Sequence, residues 1–312
     1  MSLELALILA LVASMVLTAV LIPVLRRAKF GQQIREIGPS WHKNKSGTPT
    51  MGGIGFIIAV TAIGVFANLG NKMGLIVVLG ALAFGIIGFI DDYIKVVLKR
   101  NLGLRAWQKF AMQLAVAIGV MMALSVWLET SIPLFGWEIE LGMAYIPLMV
   151  FVILGCVNAV NLTDGLDGLA GSVTAIVGTF FMVAFHGVNN MGLSLASAAL
   201  VGGLLGFLIF NFHPAKVFMG DTGSLFLGGI VALLAIGLGN PLILILVGVI
   251  YVIETLSVIM QVFWFKLTKG KRLFKMSPLH HHFEQVGWGE KKIVGVFCLI
   301  TLVACVVALG IV

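Results

Sequence analysis

Charge is scarce in this chain. Asp, Glu, Lys and Arg make up 11% of its 312 residues, 60% are hydrophobic, and the mean hydropathy is +1.11. A soluble domain of this size cannot cover its surface with so few charges, so a soluble fold is excluded. Cysteine is scarce too. Cys156, Cys298 and Cys305 all lie in apolar runs, with no CxxC pair and no metal-ligand spacing. They read as small buried hydrophobes, which leaves no disulfide framework and no cysteine-metal site. The G-x-x-x-x-G-K-[ST] phosphate loop is missing, as are a convincing internal repeat and a low-complexity tail. The N-terminus lacks a basic segment and its apolar run ends without an A-x-A site, so Leu3–Leu25 is expected to stay as a helix.

What the chain has is long apolar runs. Ten are present, at about 3–25, 52–70, 74–94, 107–128, 143–160, 171–187, 193–212, 222–239, 242–265 and 293–312. Runs of about 20 residues cross the ~30 Å hydrocarbon core as helices. Backbone polar groups must pair internally there, and runs this continuous do not fit a β-barrel. The expected fold is an all-α integral membrane protein, a single polytopic domain over 1–312 with ten transmembrane helices. Five connections and their bordering span ends hold 19 of the 20 basic residues: 26–51, 95–106, 161–170, 213–221 and 266–292. Only Lys72 falls on the other side. The positive-inside rule makes those loops cytoplasmic and both termini external. This asymmetry accounts for the net charge of +7, so no nucleic-acid partner is implied. The glycines at 85 and 88, and at 202, 203 and 206, give small faces for close helix packing. The longest polar insertion, 266–292, is suited to a short surface helix.

The acids occupy that same cytoplasmic side. Asn161-Leu162-Thr163-Asp164-Gly165-Leu166-Asp167-Gly168 lies between two apolar runs. Read as a helical turn, it puts Asp164 and Asp167 on one face. Asp91-Asp92 ends the third run, where acids oppose the helix dipole. Their side chains point about 100° apart on a helix, so one can act while the other orients a partner. Asp221, in Phe218-Met219-Gly220-Asp221-Thr222-Gly223, opens the eighth run and suits an N-cap or a Mg²⁺ ligand. His280-His281-His282 follow one another too closely to share a zinc ion and are better placed to donate to phosphate oxygens. Lys45, on the turn-rich segment 42–53, supplies a point charge for phosphate. Glu254 lies within a span and reads as paired with a nearby donor or protonated. Such an inventory at one membrane face points to phosphoryl transfer onto an amphiphilic acceptor.

These motifs, with Gly47-Thr48-Pro49-Thr50-Met51-Gly52-Gly53 and Pro278-Leu279-His280-His281-His282-Phe283-Glu284, resemble the polyprenyl-phosphate N-acetylhexosamine-1-phosphate transferases over almost the whole chain. The histidine triplet and its flanks point to the branch that handles a MurNAc-pentapeptide. The resemblance implies a bacterial, multi-pass inner-membrane enzyme that needs Mg²⁺. Its substrates would be UDP-MurNAc-pentapeptide and undecaprenyl phosphate, its products lipid I and UMP, with a homodimer among the assemblies left open. It further implies Asp221 as the Mg²⁺ ligand, and Asp91 or Asp92 as the group that deprotonates or orients the lipid phosphate. Lys45, Asn161, Gly165, Leu166 and Asp167 would line the nucleotide site and Phe218 would stack on uracil. Asn158, Asp164, Asn211 and Gln261 would stand nearby. His280 and His281 would contact the diphosphate or the rest of the substrate, with His282 beside them. Lys95 and Lys109 would be lipid-phosphate or pocket charges. Direct attack by the lipid phosphate and a covalent aspartyl intermediate both fit, and direct attack is favoured because the phosphate is already a nucleophile. The rival readings are a GlcNAc-1-phosphate transferase of teichoic-acid or O-antigen synthesis, and a transporter. The latter usually places polar residues near the midplane in repeated halves.

Overall fold

A computed structural model describes residues 1–28, 47–98, 103–134 and 137–312. The apolar runs become helices. They are α1 (Leu3–Arg27), α2 (Gly53–Ala67), α3 (Lys72–Val96), α4 (Ala106–Leu124), α5 (Tyr145–Thr163), α6 (Leu169–Gly187) and α7 (Met191–Asn211). After them come α8 (Gly220–Gly237), α9 (Ile243–Val247), α10 (Val249–Leu267), α11 (Leu279–Val286) and α12 (Glu290–Leu309). Among the described residues nine helices are long and apolar enough to cross a membrane. The run at 52–70 yields α2, which has 15 residues and so reaches only about 22 Å at 1.5 Å per residue.

Local signals set the helix ends. Ser2 Oγ accepts from Leu5 N at 3.3 Å to cap α1, whose last turn carries Arg26 and Arg27 against the negative end of the dipole. Asn71 Oδ1 caps α3 through Gly74 N at 2.9 Å, and Asn190 Oδ1 caps α7 through Leu193 N at 3.3 Å.

Three features depart from the sequence reading. The connection at 129–142 holds a hairpin, β1 (Ser131–Leu134) paired antiparallel with β2 (Trp137–Glu140), with Ser131 opposite Glu140. The fold is all-α in class, as expected, with this one small hairpin in a connection. The run at 242–265 is interrupted at Gly248 into α9 and α10. Asp164 and Asp167 do not share a helical turn, because α5 ends at Thr163 and α6 starts at Leu169. Gly168, with φ of 76°, supplies the left-handed step between them.

The layering follows from burial. In α7 and α8, 83% of the most apolar window is buried within the protein, against 22% in α4 and α10. The first two form the inner layer, and the others turn apolar faces outward. Along α1, Ile8, Val12, Val16 and Val20 are exposed at four-residue spacing, the stripe a lipid-facing helix presents. Main chains meet where glycine allows. A Cβ on Gly202 would lie 2.1 Å from the Leu7 carbonyl oxygen of α1, and one on Gly88 would lie 2.1 Å from the Asp221 carbonyl oxygen of α8. The second approach brings the end of α3 against the start of α8, where the acids are. A short helix, α11, does form within 266–292.

Candidate functional site

Three helices converge on Asp221 of α8. From α3, Lys95 Nζ donates to Asp221 Oδ2 at 2.7 Å and also meets Asp91 Oδ2 at 2.6 Å. From α4, Lys109 Nζ donates to the same Asp221 oxygen at 2.9 Å and lies 3.8 Å from Asp91 Oδ2. From α5, Asn161 Nδ2 donates to Asp221 Oδ1 at 2.9 Å and to Ser224 Oγ at 2.7 Å. Asp91 and Asp221 thus share the Lys95 ammonium closely and the Lys109 ammonium at longer range. Asp91 Oδ1 also accepts from Leu104 N at 2.7 Å.

Asp92 points elsewhere, as adjacent helical positions require. Its Oδ2 accepts from Thr222 N at 2.9 Å and Thr222 Oγ1 at 2.7 Å. Asp91 and Asp92 are 2% and 4% exposed, burial that a carboxylate tolerates only with partners this close. Gly220 has φ of 73°, and a Cβ there would lie 2.4 Å from Asp92 Oδ2, so this turn takes glycine on both counts.

A second group forms around the α5–α6 turn and α11. His280 Nδ1 lies 3.1 Å from Glu254 Oε2 of α10, and His280 N donates to Glu254 Oε1 at 3.1 Å. A Cβ on Gly165 would lie 2.1 Å from His280 Nε2, so the ring sits against the turn. His281 Nδ1 lies 2.7 Å from Glu284 Oε2, and its ring centroid is 4.2 Å from that of His280. Asp164 is half-buried in the turn. Burial pushes its carboxyl up to about 8, and the negative charges of Asp221, Asp92 and Asp167 add to the effect.

The remaining predicted residues mostly hold backbone. Asn211 accepts from Gly168 N at 3.1 Å and donates to Val217 O at 2.9 Å, which joins the turn to the segment before α8. Phe218 is half-buried. Its N donates to Pro49 O at 2.8 Å and its carbonyl accepts from Gly52 N at 2.8 Å, so two of the sequence motifs are bonded to one another. Asp167 Oδ2 accepts from Ala215 N at 3.0 Å and lies 3.2 Å from His213 Nδ1. Leu166 is buried beside it. Gln261 Oε1 accepts from Leu273 N at 3.1 Å and Phe274 N at 2.9 Å, and His282 Nδ1 accepts from Lys275 N at 3.2 Å, so both brace the loop before α11. Asn158 donates to Gln113 Oε1 at 3.0 Å, one turn into the membrane from Asn161. Lys45 falls outside the described residues.

Several participants were not singled out from sequence. Thr222, next to Asp221, bonds Asp92, and Ser224, one turn on, accepts from Asn161. Gln113 lies one turn beyond Lys109, a polar residue in an apolar run, and that spacing was the available signal. His213 and Glu290 join Asp167 in a mixed cluster whose donor atoms lie within 4.8 Å of one another. One imidazole among carboxylates is a less suitable set for Mg²⁺ than oxygens alone. The Asp221 centre fits Mg²⁺ better. Its carboxylate, with Asp91 beside it, faces a spot already occupied by positive charge from Lys95 and Lys109. Such a centre can gather and neutralise phosphate groups at a membrane edge.

Residues 74–239 match the family described as glycosyl transferase family 4. A phospho-N-acetylmuramoyl-pentapeptide-transferase of Caldanaerobacter subterraneus subsp. tengcongensis is 53% identical over 289 residues, 92% of this chain and 91% of that protein. One of Clostridium perfringens strain 13 is 49% identical over 311 residues, 98% of each chain. One of Thermoanaerobacter pseudethanolicus is 52% identical over 302 residues, 96% of this chain and 95% of that protein.

Proposed function

This chain belongs to the phospho-N-acetylmuramoyl-pentapeptide-transferases, and from that premise we propose how its residues carry the reaction. The enzyme moves phospho-MurNAc-pentapeptide from UDP-MurNAc-pentapeptide to undecaprenyl phosphate, giving lipid I and UMP for peptidoglycan synthesis. An oxygen of the lipid phosphate bonds to the sugar-bearing phosphorus. The bond from that phosphorus to the bridging oxygen breaks, and its electron pair leaves with UMP. In our reading ten helices cross the bacterial inner membrane, both termini are external, and the Asp221 centre faces the cytoplasm. The 19-to-1 division of basic residues supports that orientation.

The observation that carries the reading is the convergence of Lys95, Lys109 and Asn161 on Asp221. Attack by one phosphate on another brings like charges together, and in a low-dielectric site that repulsion dominates unless it is neutralised. Lys95 and Lys109 transfer their donors from Asp221 to the phosphate oxygens as substrate arrives. Asp221 would hold Mg²⁺, with Asp91 next to it, and a bound ion would supply charge neutralisation at the phosphoryl oxygens. Asp91 orients the lipid phosphate, because its carboxylate already shares Lys95 with Asp221, whereas Asp92 keeps the α8 start in place through Thr222. The turn from Asn161 to Gly168, with Phe218 and Lys45, binds the nucleotide. His280 and His281 serve the diphosphate, and the chain works within the bilayer as a single domain.

The test uses purified protein, undecaprenyl phosphate and radiolabelled UDP-MurNAc-pentapeptide with Mg²⁺, with and without chelator. The expected result is lipid I formation that stops with chelator. Transfer from UDP-GlcNAc alone would overturn the substrate assignment.

A further inference from the structure

The hairpin between α4 and α5 has no role in the reaction described so far. It joins the ends of those helices that lie away from Lys109 and Asn161. Each helix has 19 residues, so about 28 Å of helix separates the hairpin from the Asp221 centre. That is close to the ~30 Å thickness of a hydrocarbon core, which puts the hairpin at the opposite membrane surface. The placement holds whichever surface is cytoplasmic.

Its register makes an amphipathic ribbon. Directly opposed residues share a face, so Ile132, Ile139 and Trp137 stand on one side and Ser131, Pro133, Glu138 and Glu140 on the other. Ile132 packs into the core of the bundle, Ile139 is exposed, and Trp137, nearest the turn, is 78% exposed. The apolar face therefore starts on the bundle and runs off its edge. A lipid-facing stripe leads to it, since Ile118 and Met122 of α4 and Val126 just beyond are exposed at four-residue spacing. Exposed Trp127 and Met143 flank the ribbon in the same connection. The other face is acidic. Glu129, Glu138 and Glu140 are exposed, and the sequence has no Lys or Arg between Lys109 and Lys216. Ionised carboxylates with no cation in their own segment stay in water.

We propose that this ribbon docks on the bilayer itself: its Ile132, Ile139 and Trp137 face lies in the headgroup layer of the leaflet away from the Asp221 centre, with Trp137 reaching the top of the acyl chains and the acids turned to water. Only a boundary between oil and water satisfies both faces at once, and that boundary is where tryptophan concentrates in membrane proteins. A second copy of the chain is a poorer occupant. The ribbon's two exposed apolar side chains, Trp137 and Ile139, offer far less than the roughly 800 Å² per partner that a stable interface buries. The bilayer already covers the neighbouring stripe of α4, so the ribbon continues a surface that lipid wets.

Tryptophan fluorescence of the full chain in lipid nanodiscs tests this. Subtracting the emission of Trp137→Phe from that of wild type isolates one of the six tryptophans. Trp137→Tyr serves as a second reference, so the result does not hang on one variant. Both substitutions are at an exposed side chain far from Asp221, and both should leave the thermal midpoint and lipid I formation unchanged. The Trp137 emission is expected at a shorter wavelength than that of indole in water. Most of it should be lost in nanodiscs made of phosphatidylcholine brominated near the top of its acyl chains, and little of it to aqueous iodide. Emission at the wavelength of indole in water, quenched by iodide and untouched by the brominated lipid, would overturn the proposal and leave the ribbon standing in solvent. Emission shielded from both quenchers would overturn it as well, because a second copy of the chain would then cover the face. Neither reading depends on turnover, so failure of the reaction assignment would leave the result standing.

Discussion

The acid–lysine centre and the histidine helix solve the same problem in opposite ways. At Asp221, opposite charges from three helices satisfy one another, and in the proposed mechanism Lys95 and Lys109 keep these contacts until phosphate arrives. At α11, each of the first two histidines has a glutamate at its Nδ1. The first centre is held by exchangeable ion pairs, and the second by an acid that cannot leave. Lysine side chains can regroup around an incoming anion, whereas a buried imidazole stays with the acid that holds it.

Removing the acid tests the first half of that contrast most severely. Asp221→Asn is expected to lower lipid I formation by about a thousandfold or more, as loss of a preorganised electrostatic group at the reacting centre does. The protein should still insert and extract from membranes normally. Wild-type turnover by this variant would remove Asp221 from the metal role. Gly165→Ala probes the second half, because its Cβ would meet His280 Nε2. Turnover is expected to fall about tenfold to a hundredfold by displacing the ring, and unchanged kcat would mean the ring is not needed there. His281→Ala should cost about tenfold in transfer, less than a general acid or base would, with topology unchanged; full activity would mark it as a loop residue only. The smallest effect belongs to neither centre. Phe218→Ala should weaken UMP binding by about 1 kcal/mol through lost aromatic contact, read by calorimetry. Unchanged affinity would count against stacking on uracil.

The helices were legible because a bilayer demands long apolar runs, which need no knowledge of packing to detect. The motifs were legible as motifs. Their joining was not, since nothing in the order of residues says that Gly52 N would bond the Phe218 carbonyl or that Lys95 and Lys109 would reach one oxygen. Asp164 and Asp167 were read on helical spacing, although Gly165 and Gly168 beside them favoured a turn. The hairpin was missed in a short connection whose Trp137-Glu138-Ile139-Glu140 does alternate. Glu254 was recognised as an acid needing a donor, but its partner lies 26 residues away in a different element.

The meeting of Gly88 with the Asp221 carbonyl has a consequence for how this enzyme can vary. Rotamers cannot absorb error in a seam built from main chain on main chain. Any sliding of α3 along α8 would carry Asp91 and Asp92 past Asp221 and change their spacing directly. The spacing of these acids is thus set by a position that bears no functional group, and a methyl at residue 88 should disturb it although the sequence keeps every one of them.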